Sequence, residues 1–125
     1  MRKRFIVAIL FVAGFYSCKH EIVNADTSNG GNAGGACDPS VFTYAAAVKP
    51  IMERNCYGCH SGATPAAGLD YKNYEVLKTV ALSGRLLGAI NHRPGFSPMP
   101  KGSPKLSACN IEQIAKWANA GALNN

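Results

Sequence analysis

The sequence predicts an all-α chain of about four short helices. Apolar residues recur at helical spacing in three segments, each opened by a residue able to cap a helix: Thr43, Asn73 and Ser107. No strand–helix–strand alternation is visible. At 125 residues the chain has room for one small domain plus attachments.

The N-terminus reads as an export signal. Met1-Arg2-Lys3-Arg4 is positive, and Phe5 to Ser17 is apolar and uncharged. That run is well short of the ~20 residues needed to span a bilayer as a helix. Residues 1–17 are therefore assigned to a signal peptide of the lipoprotein type. Phe15-Tyr16-Ser17-Cys18 resembles a relaxed bacterial lipobox, which makes Cys18 the expected lipidation site. Ordinary cleavage, or a free thiol at Cys18, is the alternative. Residues 18–36 are rich in Asn, Gly, Ala and Ser and carry too little apolar surface to offset their ordering entropy. They are expected to serve as a tether between membrane and domain, with a reach on the order of 25 Å.

Charge narrows the partners. The formal net charge is +6, but Arg2, Lys3 and Arg4 belong to the signal. From Cys18 onward ten Lys/Arg face seven Asp/Glu, a balance of +3. No basic run or aromatic-interleaved patch remains, so nucleic acid is not an expected partner. Scattered lysines (Lys49, Lys72, Lys78, Lys101 and Lys105) suit a solvated surface or the steering of an acidic redox partner.

The folded domain is assigned to residues 37–125. Its first helix is expected over Thr43 to Asn55, with Val48, Ile51 and Met52 on one face. Pro50 is the difficulty, because an interior proline loses a hydrogen bond and clashes with the preceding turn. Either the helix starts near Val48, with Pro50 in its first turn, or it is kinked. Met52 is assigned to the core.

Cys56-Tyr57-Gly58-Cys59-His60 follows. This is C-x-x-C-H, the attachment sequence for a c-type haem. Two thiols on one helical turn can each add across one vinyl group of the same porphyrin. The next residue, His60, is then held under the iron as the proximal ligand. Two other chemistries use C-x-x-C. A dithiol redox centre wants a βαβ setting, and zinc wants two more ligands at matched spacing. His92, Cys37 and Cys109 form no second compact pair.

After a loop, Leu69 and Tyr71 are expected at the haem edge. A second helix is expected over Asn73 to Leu82, ended by Ser83-Gly84, and a shorter one over Leu86 to Ile90. In His92-Arg93-Pro94-Gly95-Phe96-Ser97-Pro98-Met99-Pro100, two prolines bracket Met99 and deny the loop regular structure. A methionine there suits a neutral, soft thioether ligand to iron. The alternatives are packing of Met99 on the porphyrin face and a distal role for His92. Arg93 is a possible partner for a propionate.

The terminal helix starts at the cap Ser107, covers Ala108 to Ala120 and stops at Gly121. Its expected apolar face is Ile111, Ile114, Ala115 and Ala118, with Trp117 beside it, packing in the core or directing its N–H at a propionate.

The C-x-x-C-H stretch, Met99-Pro100, Leu106-Ser107, Ile111, Ile114, Trp117 and Gly121-Ala122 together resemble the small bacterial monohaem cytochrome c domain family, over about Cys37 to Asn125. The resemblance implies helices before the motif and at the C-terminus that cross with one covalent haem c between them. It also implies Cys56 and Cys59 as attachment residues, and His60 and Met99 as the iron's axial ligands. Asn110 departs from the acidic residue common at that position of the last helix. Cys37 and Cys109 are then left over in an oxidising compartment. They begin the domain and the last helix, and crossing helices would bring them together as a disulfide.

The expected function is single-electron transfer between exported redox partners, in the periplasm or cell envelope, with no enzymatic role. Glu53, Glu75 and Glu112 are isolated and make no acid–base pair. The alternative is a haem-based sensor or small-ligand binder in which Met99 is displaceable.

Overall fold

The computed structural model describes residues 37–125, and each regular element among them is a helix. The signal and tether assignments, and Cys18 with them, lie outside the described residues.

Pro50 shapes the first helix in a way the sequence left open. The α-helix starts at Lys49 behind Val48, with Pro50 in its first turn, which is one of the two expected outcomes; ahead of it a π-helical turn, Tyr44–Val48, runs directly into α1, Lys49–Asn55. Val48 N–H donates to Thr43 O at 3.2 Å, five residues back, and Lys49 N–H donates to Tyr44 O. A proline ring clashes with the carbonyl four residues before it, here that of Ala46. A wider turn ahead of the ring relieves that clash. Thr43 caps the start, its hydroxyl accepting from Ala46 N–H at 3.3 Å.

A short 3₁₀ turn, Ala66–Gly68, leads to α2, Tyr74–Leu82, capped by Asn73, whose Oδ1 accepts from the N–H groups of Glu75 and Val76. Gly84, at φ +77°, separates α2 from α3, Arg85–Ile90. The last helix, α4, covers Ala108–Asn119 behind the Ser107 cap. It ends in a Schellman turn: Gly121 N–H donates to Ala118 O and Ala122 N–H to Trp117 O.

The core joins Val48, Ile51 and Met52 to Leu77 and Val80 of α2, Leu86 and Ile90 of α3, and Ile114 and Trp117 of α4. Trp117 is 1% exposed, and its Nε1–H donates to Leu123 O at 2.8 Å. That settles its role as packing and leaves no N–H for a propionate. Tyr44 lies against it at 5.9 Å between ring centroids, and against Tyr74 at 5.0 Å.

The buried stripe of α4 is rotated from the expected one. Asn110 and Gln113 are buried beside Ile114, Trp117 and Ala118, whereas Ile111 is half-buried. The chain segment before the first helix explains this. Gln113 Nε2 donates to Asp38 O at 2.8 Å and Val41 O at 2.9 Å, and Lys116 Nζ donates to Pro39 O at 3.0 Å. Side chains of α4 thus supply donors to the carbonyls of this segment. The same segment is stapled by a disulfide between Cys37 and Cys109, with Cα atoms 6.3 Å apart.

Candidate functional site

Cys56 closes α1 at φ −126°, and the Cys56–His60 stretch follows it as a hydrogen-bonded turn. Cys56 and Tyr57 N–H both donate to Met52 O, and Cys59 and His60 N–H both donate to Cys56 O. These bonds fold Cys59 and His60 back beside Cys56. All three line one cavity of about 550 Å³ with mostly apolar walls. That lies within the ~300–1,000 Å³ of pockets that enclose a cofactor-sized molecule.

His60 is buried, and its ring is stacked on that of Tyr71 at 4.7 Å. Its Nδ1 is 3.2 Å from Ala66 O. A carbonyl only accepts, so Nδ1 carries the proton and the Nε2 lone pair stays available to a metal. Ala66 is itself fixed by its N–H to Cys59 O at 2.9 Å. The loop after the motif thus folds back to orient the imidazole.

Met99 comes from the far side of the sequence and lines the same cavity. Its N–H donates to Ala89 O at 3.1 Å, tying the loop to α3. An adjoining cavity of about 290 Å³ shares His60, Tyr71, Ala89 and Met99 with the first. Tyr71 is the buried wall common to both, and its phenol is pushed up from its ordinary pKa by burial. Leu69 lines the smaller one. Met52 is fully buried and lines neither.

Burial, and then the neighbouring Cys59, push the Cys56 thiol up to about 11. A dithiol redox centre wants a βαβ setting, and each regular element among the described residues is a helix. Zinc fares no better: among the described residues no group of three His, Cys, Asp or Glu is placed to hold a metal ion. A haem asks less of the protein. The porphyrin supplies four nitrogens, and one imidazole with one thioether completes the set.

Other residues differ from the sequence reading. Arg93 is exposed and lines neither cavity. The polar groups at the cavity walls are Asn55, Lys101 and Ser103 on the larger, and Arg85 and Ser97 on the smaller. Asn55, directly before Cys56, and Lys101, directly after Met99-Pro100, had local cues; Arg85 is brought there only by tertiary folding. His92 lines neither cavity, and its Nε2 lies 3.0 Å from Met99 O. A ring nitrogen so engaged is not a free distal ligand.

No family model matches this chain, and neither a curated protein nor a solved structure does.

Proposed function

We infer that this chain is a monohaem c-type cytochrome with a cytochrome c-like fold, carrying single electrons between exported redox partners. One observation carries the reading. Two thiols, an imidazole with a free Nε2 lone pair and a thioether come from stretches 39 positions apart and line one apolar cavity. A bound haem c supplies a one-electron iron couple, whose potential Met/His ligation raises.

The chain's own residues account for the rest. Cys56 and Cys59 each offer an S–H to add across a vinyl group. His60 presents Nε2, oriented through Nδ1 by Ala66. Met99 offers a neutral sulfur that favours the ferrous state. Asn55, Lys101 and Ser103 offer polar contacts to ionised propionates. Apolar walls exclude water, which limits reorganisation when the iron changes charge. The N–H tie from Met99 to Ala89 supports electron transfer over a sensor with a displaceable methionine.

From 76 to 111 the chain carries Lys78, Arg85, Arg93, Lys101 and Lys105 and no carboxylate. The redox partner is accordingly proposed to be acidic where it docks. Export to the periplasm or cell envelope, with a lipid anchor on Cys18, completes the reading and rests on the sequence.

The test is the absorption spectrum, oxidised and reduced, of protein exported from a host with cytochrome c maturation machinery. Sharp low-spin c-type bands, and loss of the long-wavelength ferric band in Met99→Ala, are expected. A high-spin wild type would move the reading to a sensor with an open iron, and carbon monoxide would then bind the ferrous protein rapidly. Absence of covalent haem would overturn the reading altogether.

A further inference from the structure

The geometry points to His92 as the positioning residue that holds Met99 at the haem cavity. The inference rests on the reading of Met99 as an axial ligand.

His92 adopts φ +53°, in the left-handed region that residues with a Cβ avoid. Such an outlier persists only where surrounding contacts fix it. Here the backbone is fixed at the end of α3: His92 N–H donates to Ala89 O at 3.1 Å, and Arg93 N–H donates to Gly88 O at 3.0 Å. The consequence is on the side chain. The imidazole Nε2 reaches Met99 O at 3.0 Å, across seven positions of chain. Since that carbonyl only accepts, Nε2–H is the donor.

Both backbone groups of Met99 are thereby tied to the end of one helix. Its N–H donates to Ala89 O, and its C=O accepts from His92. Leu86, Ala89 and Ile90 of that helix also line the cavity. The wall and the thioether-bearing residue are thus one mechanical unit, although Pro94 to Pro98 between them are exposed. Proline bracketing alone stiffens φ at Pro98 and Pro100; it does not anchor Met99 to anything. The histidine supplies the anchor. It therefore governs how readily Met99 leaves the iron, without touching the iron itself.

The test compares His92→Gly and His92→Gln holoprotein with wild type. Glycine keeps the left-handed backbone and deletes the donor; glutamine restores an N–H at similar reach. In ferric protein titrated with imidazole, His92→Gly is expected to bind it roughly three- to tenfold more tightly, the equivalent of one net hydrogen bond. Its long-wavelength Met–iron band is expected to weaken, and His92→Gln to return both toward wild type. A role in folding alone would lower the melting temperature of the variants and leave imidazole affinity unchanged. If wild type has the band and His92→Gly matches it in band and affinity, the positioning role is refuted and the Met99 assignment stands. A wild type without the band removes Met99 from the iron and overturns both. Should His92→Gly fail to fold, nitrogen-15 NMR of wild type decides: a slowly exchanging Nε2–H on His92 supports the tie, and an Nδ1–H tautomer refutes it.

Discussion

Breaking the Cys37–Cys109 cross-link is the sharpest stability test, because it does not depend on what fills the cavity. The bridge closes a loop of 72 residues. The chain-entropy relation for that length gives about 4 kcal/mol at 25 °C. A compact denatured ensemble already forgoes part of that freedom, so the expected loss for Cys37→Ala with Cys109→Ala is about 2–4 kcal/mol. The folded side should change little. Gln113 and Lys116 still donate to the carbonyls of Asp38, Pro39 and Val41, so the segment stays seated on α4. The assay is equilibrium guanidinium unfolding followed by far-ultraviolet circular dichroism. The expected result is a lower midpoint with an unchanged native spectrum. A loss under about 1 kcal/mol would show that loop closure is not what the bridge contributes. An altered native spectrum would refute the claim that side-chain donors suffice to hold the segment.

Further outcomes follow from individual contacts. A Cβ on Gly88 would lie 2.6 Å from ring atoms of Phe96, so Gly88→Ala is expected to cost about 1–3 kcal/mol as overpacking. Thermal melts of Gly88→Ala alone and with Phe96→Ala check this, since removing the ring should recover most of the loss. Trp117→Ala removes a 1%-exposed indole with a satisfied N–H and is expected to destabilise the domain by about 3–5 kcal/mol in denaturant titrations. The acid-free, five-cation stretch from 76 to 111 predicts an electron-exchange rate with an acidic partner that falls as salt rises; stopped-flow rates should drop from 0.01 to about 0.1 M, as the screening length shortens to about 10 Å. Cys56→Ala with Cys59→Ala should yield a largely unfolded chain, and a native-like helical circular dichroism spectrum would count against that.

What was readable from the sequence was local. Asn73 and Ser107 cap the helices they were expected to cap, because a cap needs only its own next three residues. The motif turn follows from spacing alone. Pro50 falls in the first turn of α1, as one of the two expected outcomes had it; the π-turn ahead of it was not legible, because it answers a clash between the ring and a backbone carbonyl. The stripe on α4 was misplaced because Gln113 looks solvated until the carbonyls of a segment more than seventy positions away are set beside it. Arg85 reaches its cavity for a similarly non-local reason. His92 was weighed as a rival ligand; the contact of its Nε2 with Met99 O, seven positions on, shows that its ring faces a carbonyl instead.

The cavity constrains what kind of molecule this is. The space is about 550 Å³ and partly open to solvent, in a domain of 89 residues from Cys37 to Asn125 that is small enough to bury proportionally little surface. The helices nonetheless arrange themselves as walls: the motif turn, α3 and the Met99 loop all face the space, and the fully buried Trp117 and Met52 pack elsewhere. Its walls set the small Cys59, Ala66 and Ala89 beside the larger Tyr71, Leu86 and Ile90, so side-chain size as well as helix arrangement shapes the space, and under the proposed reading the two thiols would hold what fills it.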